Sequence, residues 1–148
     1  MGVTNLSGNA ISKVWREDHW IYKRQFKYLC DNEMYALEVM APYRYTPTLV
    51  ERVNDELIRM YYTERMDVPV ERVAGFFNHC ARVLAILEHV GLRHGDLTLP
   101  HVIPNENYEP VIIDWAESRT WKDPRPDKRR EGDRYWLTKT MQEICRDG

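Results

Sequence analysis

The chain has 148 residues, room for one domain with a buried core and too few for two full ones. Apolar residues make up 43% and charged residues 30%, the composition of an ordinary globular chain, and a net charge of −2 argues neither for nor against a polyanionic partner. Cys30, Cys80 and Cys145 form no Cys-x-x-Cys and read as free thiols of a reducing, cytoplasmic protein, while no signal-peptide core and no run near the roughly 18 apolar residues of a membrane span is found.

In chain order, Val14–Arg16 and Trp20–Lys23 flank the polar Glu17-Asp18-His19 and predict a β-ribbon. Gln25 to Met40 lacks Gly and Pro and carries a loose apolar stripe, which predicts a helix ended before Pro42. Thr48–Val53 and Leu57–Tyr62 around Asn54-Asp55 predict a second hairpin, since Asn and Asp tolerate the positive φ of a tight turn. Pro69 to Val90 has the cleanest periodicity, with Val73, Phe76, Phe77, Cys80, Val83, Leu84, Leu87 and Val90 at steps of three and four, closed by Gly91. Val102-Ile103 and Val111–Ile113 predict a hairpin around a turn of about five residues, Asn105 to Glu109. A loop rich in Pro and charge follows from Asp123 to Asp133, and Arg134 to Ile144 predicts a last helix.

Two acids stand where elements end. Asp96 follows His94-Gly95 just past the long helix, and Asp114 follows the apolar strand Val111–Ile113. The central hairpin returns the second acid towards the first. Two convergent carboxylates are what metal-assisted phosphoryl transfer uses, one orienting the attacking hydroxyl and one holding magnesium.

His94-Gly95-Asp96-Leu97 followed by Ile112-Ile113-Asp114-Trp115 resembles the catalytic loop and metal-binding motif of the protein kinase-like superfamily. The HGDL form is most similar to aminoglycoside and choline phosphotransferases and to the small atypical kinase partnered with the tRNA threonylcarbamoylation complex. The resemblance implies an α+β, minimal two-lobe kinase-like fold in a single domain over 1–148. A small antiparallel sheet with one helix forms a small lobe of about 1–62, a hinge covers about 63–67, and an abbreviated, mainly helical large lobe covers about 68–148.

The same resemblance implies roles. Asp96 matches the catalytic aspartate, Asp114 the metal-chelating one, Lys23 the strand lysine on the α- and β-phosphates, and Glu33 its helix partner, with Glu38 the runner-up. His94 matches a buried architectural histidine, and Asp133, with Asp127 as competitor, the aspartate that anchors the catalytic loop. Leu6 to Val14, with Gly8 as its one glycine, matches a reduced phosphate-covering loop, and Tyr62 and Glu64 lie where the hinge neighbours adenine. The implied cofactors are ATP and Mg²⁺.

Three departures matter. Gly95 replaces the Arg that pairs with a phosphorylated activation loop, and Trp115-Ala116 replaces Phe-Gly; both point towards small-molecule phosphotransferases. His101, five residues after Asp96, stands where the family places a metal-binding Asn, and imidazole accepts Mn²⁺ more readily than Mg²⁺. The sequence therefore predicts an ATP-dependent phosphotransferase acting on a hydroxyl of a protein or small molecule. The alternative is a catalytically weak or inactive kinase-like module that binds nucleotide or a partner protein. The basic cluster Arg125, Lys128, Arg129 and Arg130 reads as a solvated face, or as a receiver for an acidic substrate or an RNA backbone, which motivates a third reading as a small RNA-associated ATPase. Nucleic acid is the minority expectation among partners, and no membrane is expected.

Overall fold

The computed structural model describes residues 2–7 and 10–146, with side chains from residue 12 onward. Strands β1 (Gly2–Ser7), β2 (Ala10–Glu17), β3 (Trp20–Arg24), β4 (Val50–Asn54) and β5 (Leu57–Tyr61) form an antiparallel sheet in the order β1-β2-β3-β5-β4. The predicted ribbon and second hairpin are both present, and the ribbon begins earlier than its apolar run, because β1 pairs along β2. Gly8 lies outside the described residues.

Helix α1 (Lys27–Met40) buries Leu29, Cys30, Glu33, Ala36, Leu37 and Met40, one face at steps of one, three and four. One of those six is a carboxylate, which is why the stripe looks loose in sequence. Helix α2 (Val73–Val90) buries Phe76, Cys80, Val83 and Leu87 and is preceded by a short 3₁₀ turn, Val70–Arg72. It stops at Gly91, whose φ of 74° is left-handed and whose amide donates to the Leu87 carbonyl at 3.0 Å.

Beyond α2 lie β6 (Leu92–Arg93), β7 (Val102–Pro104), β8 (Pro110–Ile112), β9 (Arg119–Thr120) and α3 (Gly132–Arg146). The β7–β8 hairpin closes around the predicted turn, Asn105 to Glu109, although its strands are set by a residue from the predicted 102–103 and 111–113, and Asn105 builds that turn: its Oδ1 accepts the amides of Asn107 and Glu109 at 2.9 and 3.0 Å. The small β6–β9 pair, two residues on each strand, is too short to leave a periodicity in sequence.

The main core joins Ala36, Leu37 and Met40 of α1 to Phe76, Cys80, Val83 and Leu87 of α2, and to Leu97, Val102, Ile112, Trp115 and Leu137 around the β7–β8 hairpin. The helix of the sheet half is therefore packed into the helical half. The described chain is an α+β fold with two unequal halves, and a cleft lies between them.

Candidate active site

Lys23 points from β3 into this cleft of about 340 Å³, which is also lined by Val14, Ile21, Glu33, His101, Asp114 and Lys128. Its Nζ lies 2.7 Å from Asp114 Oδ1 and 3.2 Å from Glu33 Oε1. Burial disfavours the ammonium, but the charges of Glu33 and Asp114 outweigh that and raise its pKa. Lys23 is therefore a fixed cation.

Glu33 has no exposed surface, and both its oxygens are used. Oε1 also accepts from Gln25 Nε2 at 2.7 Å, and Oε2 accepts from the Trp115 amide at 3.1 Å. The second bond ties α1 to the residue after Asp114. Asn32 adds to the tie by donating to the Ala116 carbonyl at 3.1 Å. Glu38 is exposed on the opposite face, so Glu33 is the lysine's partner.

Asp114 has a φ of 61°, a left-handed conformation uncommon outside glycine. Such strain persists only where the surroundings hold it, and here the carboxylate is held at both ends. Oδ1 takes Lys23, and Oδ2 takes His101 Nε2 at 3.0 Å. Burial would raise its pKa, yet the His101 hydrogen bond and the Lys23 charge hold it well below the usual carboxylate range.

His101 ends the 3₁₀ turn Leu99–His101, and its ring bridges the two acids. Nδ1 is 2.8 Å from the Asp96 carbonyl, and Nε2 faces the Asp114 carboxylate. Both partners only accept, so both nitrogens donate and the ring is an imidazolium. Burial opposes that charge; the hydrogen bond and charge of Asp114, with Asp96 behind them, prevail and raise the pKa. As a metal ligand the ring would first lose the Nε2 proton. In this arrangement it serves Asp114 as a counter-ion.

Asp96 is 4% exposed. Its loop is held from below: the amides of His94 and Gly95 donate to Asp133 at 2.8 and 2.9 Å, and Thr140 Oγ1 donates to the Leu97 carbonyl at 2.7 Å. Asp127 pairs instead with Arg93 at 3.4 Å, so Asp133 is the anchor. His94, fully buried beside Trp115, donates from Nε2 to the Ile113 carbonyl at 2.9 Å and accepts the Asp96 amide on Nδ1 at 3.1 Å. Those bonds fix a neutral tautomer, in keeping with a pKa that burial lowers. The histidine thereby joins the two acid-bearing segments.

The Asp96 carboxylate itself is covered by two cations, Arg129 Nε at 2.9 Å and Lys128 Nζ at 3.3 Å. Burial would raise its pKa, but Arg129, Lys128 and His101 together lower it. The expectation for the basic cluster is a solvated face, an acidic substrate or an RNA backbone, and nothing in its spacing signals that it reaches Asp96.

Asp96, His101 and Asp114 each offer a ligand atom within 4.8 Å of the others. Two carboxylates suit Mg²⁺, and the mixed oxygen and nitrogen set suits Mn²⁺. The donor set thus fits one divalent ion on Asp114. Tyr62 and Glu64 are not brought to this cleft: they line a separate cavity of about 440 Å³ with Arg44, Thr46, Asn105 and Met66. The reason is local, because the Tyr62 amide donates to the His19 carbonyl at 2.7 Å and its ring packs under the Arg16 guanidinium.

No protein-family model matches the chain, and no curated protein sequence does. Solved structures do. WbdD superimposes with a TM-score of 0.56 at 16% identity over 81% of this chain and 33% of its own, and its complex with a kinase inhibitor gives 0.55 at 18% over 84% and 34%. Rio2 kinase from Chaetomium thermophilum, solved as an ADP/Mg²⁺-phosphoaspartate complex, gives 0.62 at 11% over 99% of this chain and 55% of that one. The chain spans from a third to just over half the length of these proteins. Its fold is a protein kinase-like fold in abbreviated form.

Proposed function

We propose that the chain is an ATP-dependent phosphotransferase that moves the γ-phosphoryl group to a hydroxyl of a small molecule or protein. The observation that carries this reading is the convergence of Lys23, Glu33 and Asp114 on one cleft, with Asp96, from a fourth segment, offering an oxygen within 4.8 Å of Asp114 and His101. Lys23, held charged and oriented by Glu33, would contact the α- and β-phosphates. Asp114 would hold the divalent ion, which when bound neutralises the phosphate oxygens as charge develops. Asp96 would accept the proton of the acceptor hydroxyl while its oxygen bonds to the γ-phosphorus and the bond to the ADP oxygen breaks. ADP leaves with that bonding pair.

Gly95 and Trp115 favour the small-molecule branch of the superfamily. The free thiols suit a reducing, cytoplasmic setting, and among the described residues no helix is long and apolar enough to cross a membrane. The phosphate-covering role of Gly8 remains part of the proposal, whereas Tyr62 and Glu64, which line the separate cavity, are given no adenine-side role in it. A second reading, a nucleotide- or partner-binding module without turnover, draws on the cations that engage both acids, His101 on Asp114 and Lys128 with Arg129 on Asp96.

The test is ADP release and γ-phosphate transfer with Mg²⁺ or Mn²⁺, with Asp96→Ala as control and nucleotide-induced thermal shift in parallel. We expect a shift in both proteins and a rate loss of about 100-fold or more in the variant. No turnover above the variant with either metal, with the shift retained, would overturn the enzyme and leave the binding module.

A further inference from the structure

We propose that Lys128 and Arg129 form an anion site for the acceptor, so that the phosphorylated hydroxyl belongs to a molecule carrying a phosphate or carboxylate close to it. The inference rests on the phosphotransferase reading and names the substrate class of that site.

The segment from Trp121 to Glu131 contains no helix or strand, yet it is pinned to the catalytic loop. Trp121 donates from its amide to the Gly91 carbonyl at 3.0 Å and from Nε1 to the Leu92 carbonyl at 3.1 Å. Asp127 pairs with Arg93, and the Arg129 amide donates to the Gly95 carbonyl at 3.1 Å. The Arg129 guanidinium also lies 5.0 Å from the centre of the Trp136 ring. This is a built position for the two cations, unlike a solvated run.

Their pairing sets them apart. Arg59 has Glu51 and Arg125 has Asp123, each a surface cation with its own acid, and where Lys27 and Arg52 share one carboxylate it is Asp31, a half-exposed acid outside the cleft. Lys128 and Arg129 share a single acid among the described residues, and it is Asp96. Two cations on one carboxylate leave positive charge uncompensated beside the reacting group. Arg129 uses only Nε there, and its two terminal nitrogens make no hydrogen bond among the described residues. They form the paired donor edge that suits a phosphate or carboxylate.

The arrangement also ties chemistry to that anion. Asp96 cannot readily take a hydroxyl proton while Arg129 occupies Oδ1 and Lys128 occupies Oδ2. An acceptor whose own anion draws the two cations away frees the base and delivers the hydroxyl together. A neutral acceptor leaves the base engaged. Because Lys128 also lines the nucleotide cleft, the competing source of the anion is the γ-phosphate of ATP.

The experiment fills the γ-position first. Inorganic phosphate is titrated by NMR into the protein saturated with Mg²⁺ and the non-hydrolysable analogue AMP-PNP, for wild type, Lys128→Gln/Arg129→Gln, Arg129→Lys and Asp96→Asn. The double variant leaves the buried Asp96 without its two counter-ions, so its melting temperature is read first, and Arg129→Lys, which keeps the charge, carries the comparison where the double variant melts early. We expect phosphate to perturb residues 93–97 and 127–130, affinity to fall at least tenfold in the double variant and partly recover in Arg129→Lys, and binding to tighten in Asp96→Asn, where the competing charge is gone. Phosphate binding that is absent, or equal in the double variant, overturns the proposal. So does a tenfold loss of AMP-PNP affinity with ADP affinity unchanged, which would assign the cations to the γ-phosphate. Phosphate binding as expected, with no transfer from ATP to glycerol 3-phosphate or glycerol, would instead count against the phosphotransferase reading and leave the anion site standing.

Discussion

His101 decides the character of this site. In the resembling family the position holds a neutral amide, which presents an oxygen to a cation; here an imidazolium presents one N–H to the Asp114 carboxylate and the other to the Asp96 backbone carbonyl. It supplies inside the cleft a positive charge that a metal would otherwise bring. Its pKa is raised in the folded state, which fixes the direction of a pH effect. The bridge contributes fully below the unfolded histidine value, about 6.5, and is lost as pH rises through the folded value. Asp96 and Asp114 have depressed values, so what they contribute is lost only in acid, as pH falls. In urea unfolding between about pH 5.5 and 9, the stability advantage of wild type over His101→Asn is therefore largest at the acid end and shrinks towards alkaline pH. An advantage that grew with pH would contradict the imidazolium bridge.

At the scale of elements, the turn that carries Asp96 depends on backbone that only glycine takes easily. Gly95 has a φ of 90°, and a Cβ there would lie 3.3 Å from the Glu117 carbonyl. Gly75, in α2, has nothing within 4 Å of the same addition. Gly95→Ala is expected to lose about 1–3 kcal/mol and Gly75→Ala to gain about 0.5–1 kcal/mol, opposite signs from one chemical change, read by thermal or urea melting. Much of this element level was legible in sequence: the α2 periodicity, the Gly91 stop and the five-residue turn between β7 and β8 each rest on local chemistry that a short window contains. Asp96, Asp114, Lys23 and Glu33 lie close together, a neighbourhood the sequence brought into view through its motifs, and Glu33 has a local signal as well, since it falls on the apolar face of α1 where Glu38 does not. The cover of Lys128 and Arg129 over Asp96 was not legible, because it depends on how an irregular loop returns to a carboxylate 33 residues earlier in the chain. The place of Tyr62 was hidden for a similar reason: a single amide bond to His19 turns the chain away from the cleft.

For the whole molecule, the cleft sits between halves that share a core. Met40 and Leu37 of α1 pack in the same cluster as Phe76 and Val83 of α2, and Glu33 and Asn32 bond directly to the backbone of Trp115 and Ala116. A kinase-like fold with a loosely tethered small lobe would let its sheet melt first. Here loss of the sheet with α1 left in place would strand Glu33, a fully buried carboxylate, without Lys23, and loss of α1 as well would expose Ala36, Leu37 and Met40 from the main core. Breaking such a buried pair by removing one partner costs about 3–5 kcal/mol, so partial unfolding is disfavoured by a large share of a typical domain's stability. The chain is accordingly expected to unfold as one unit. Trp15 and Trp20 report on the sheet, and Trp115, Trp121 and Trp136 on the helical half, so single-tryptophan variants, with Phe at the other positions, follow each half separately. Urea transitions of the two halves and of far-ultraviolet circular dichroism should coincide, and saturating ATP with Mg²⁺ at about 100 times its Kd should move all three together by about 2.7 kcal/mol. A sheet-half tryptophan that melts first, or a nucleotide shift seen by one half alone, would mean that the shared core and the Glu33 ties do not couple the two sides of the cleft.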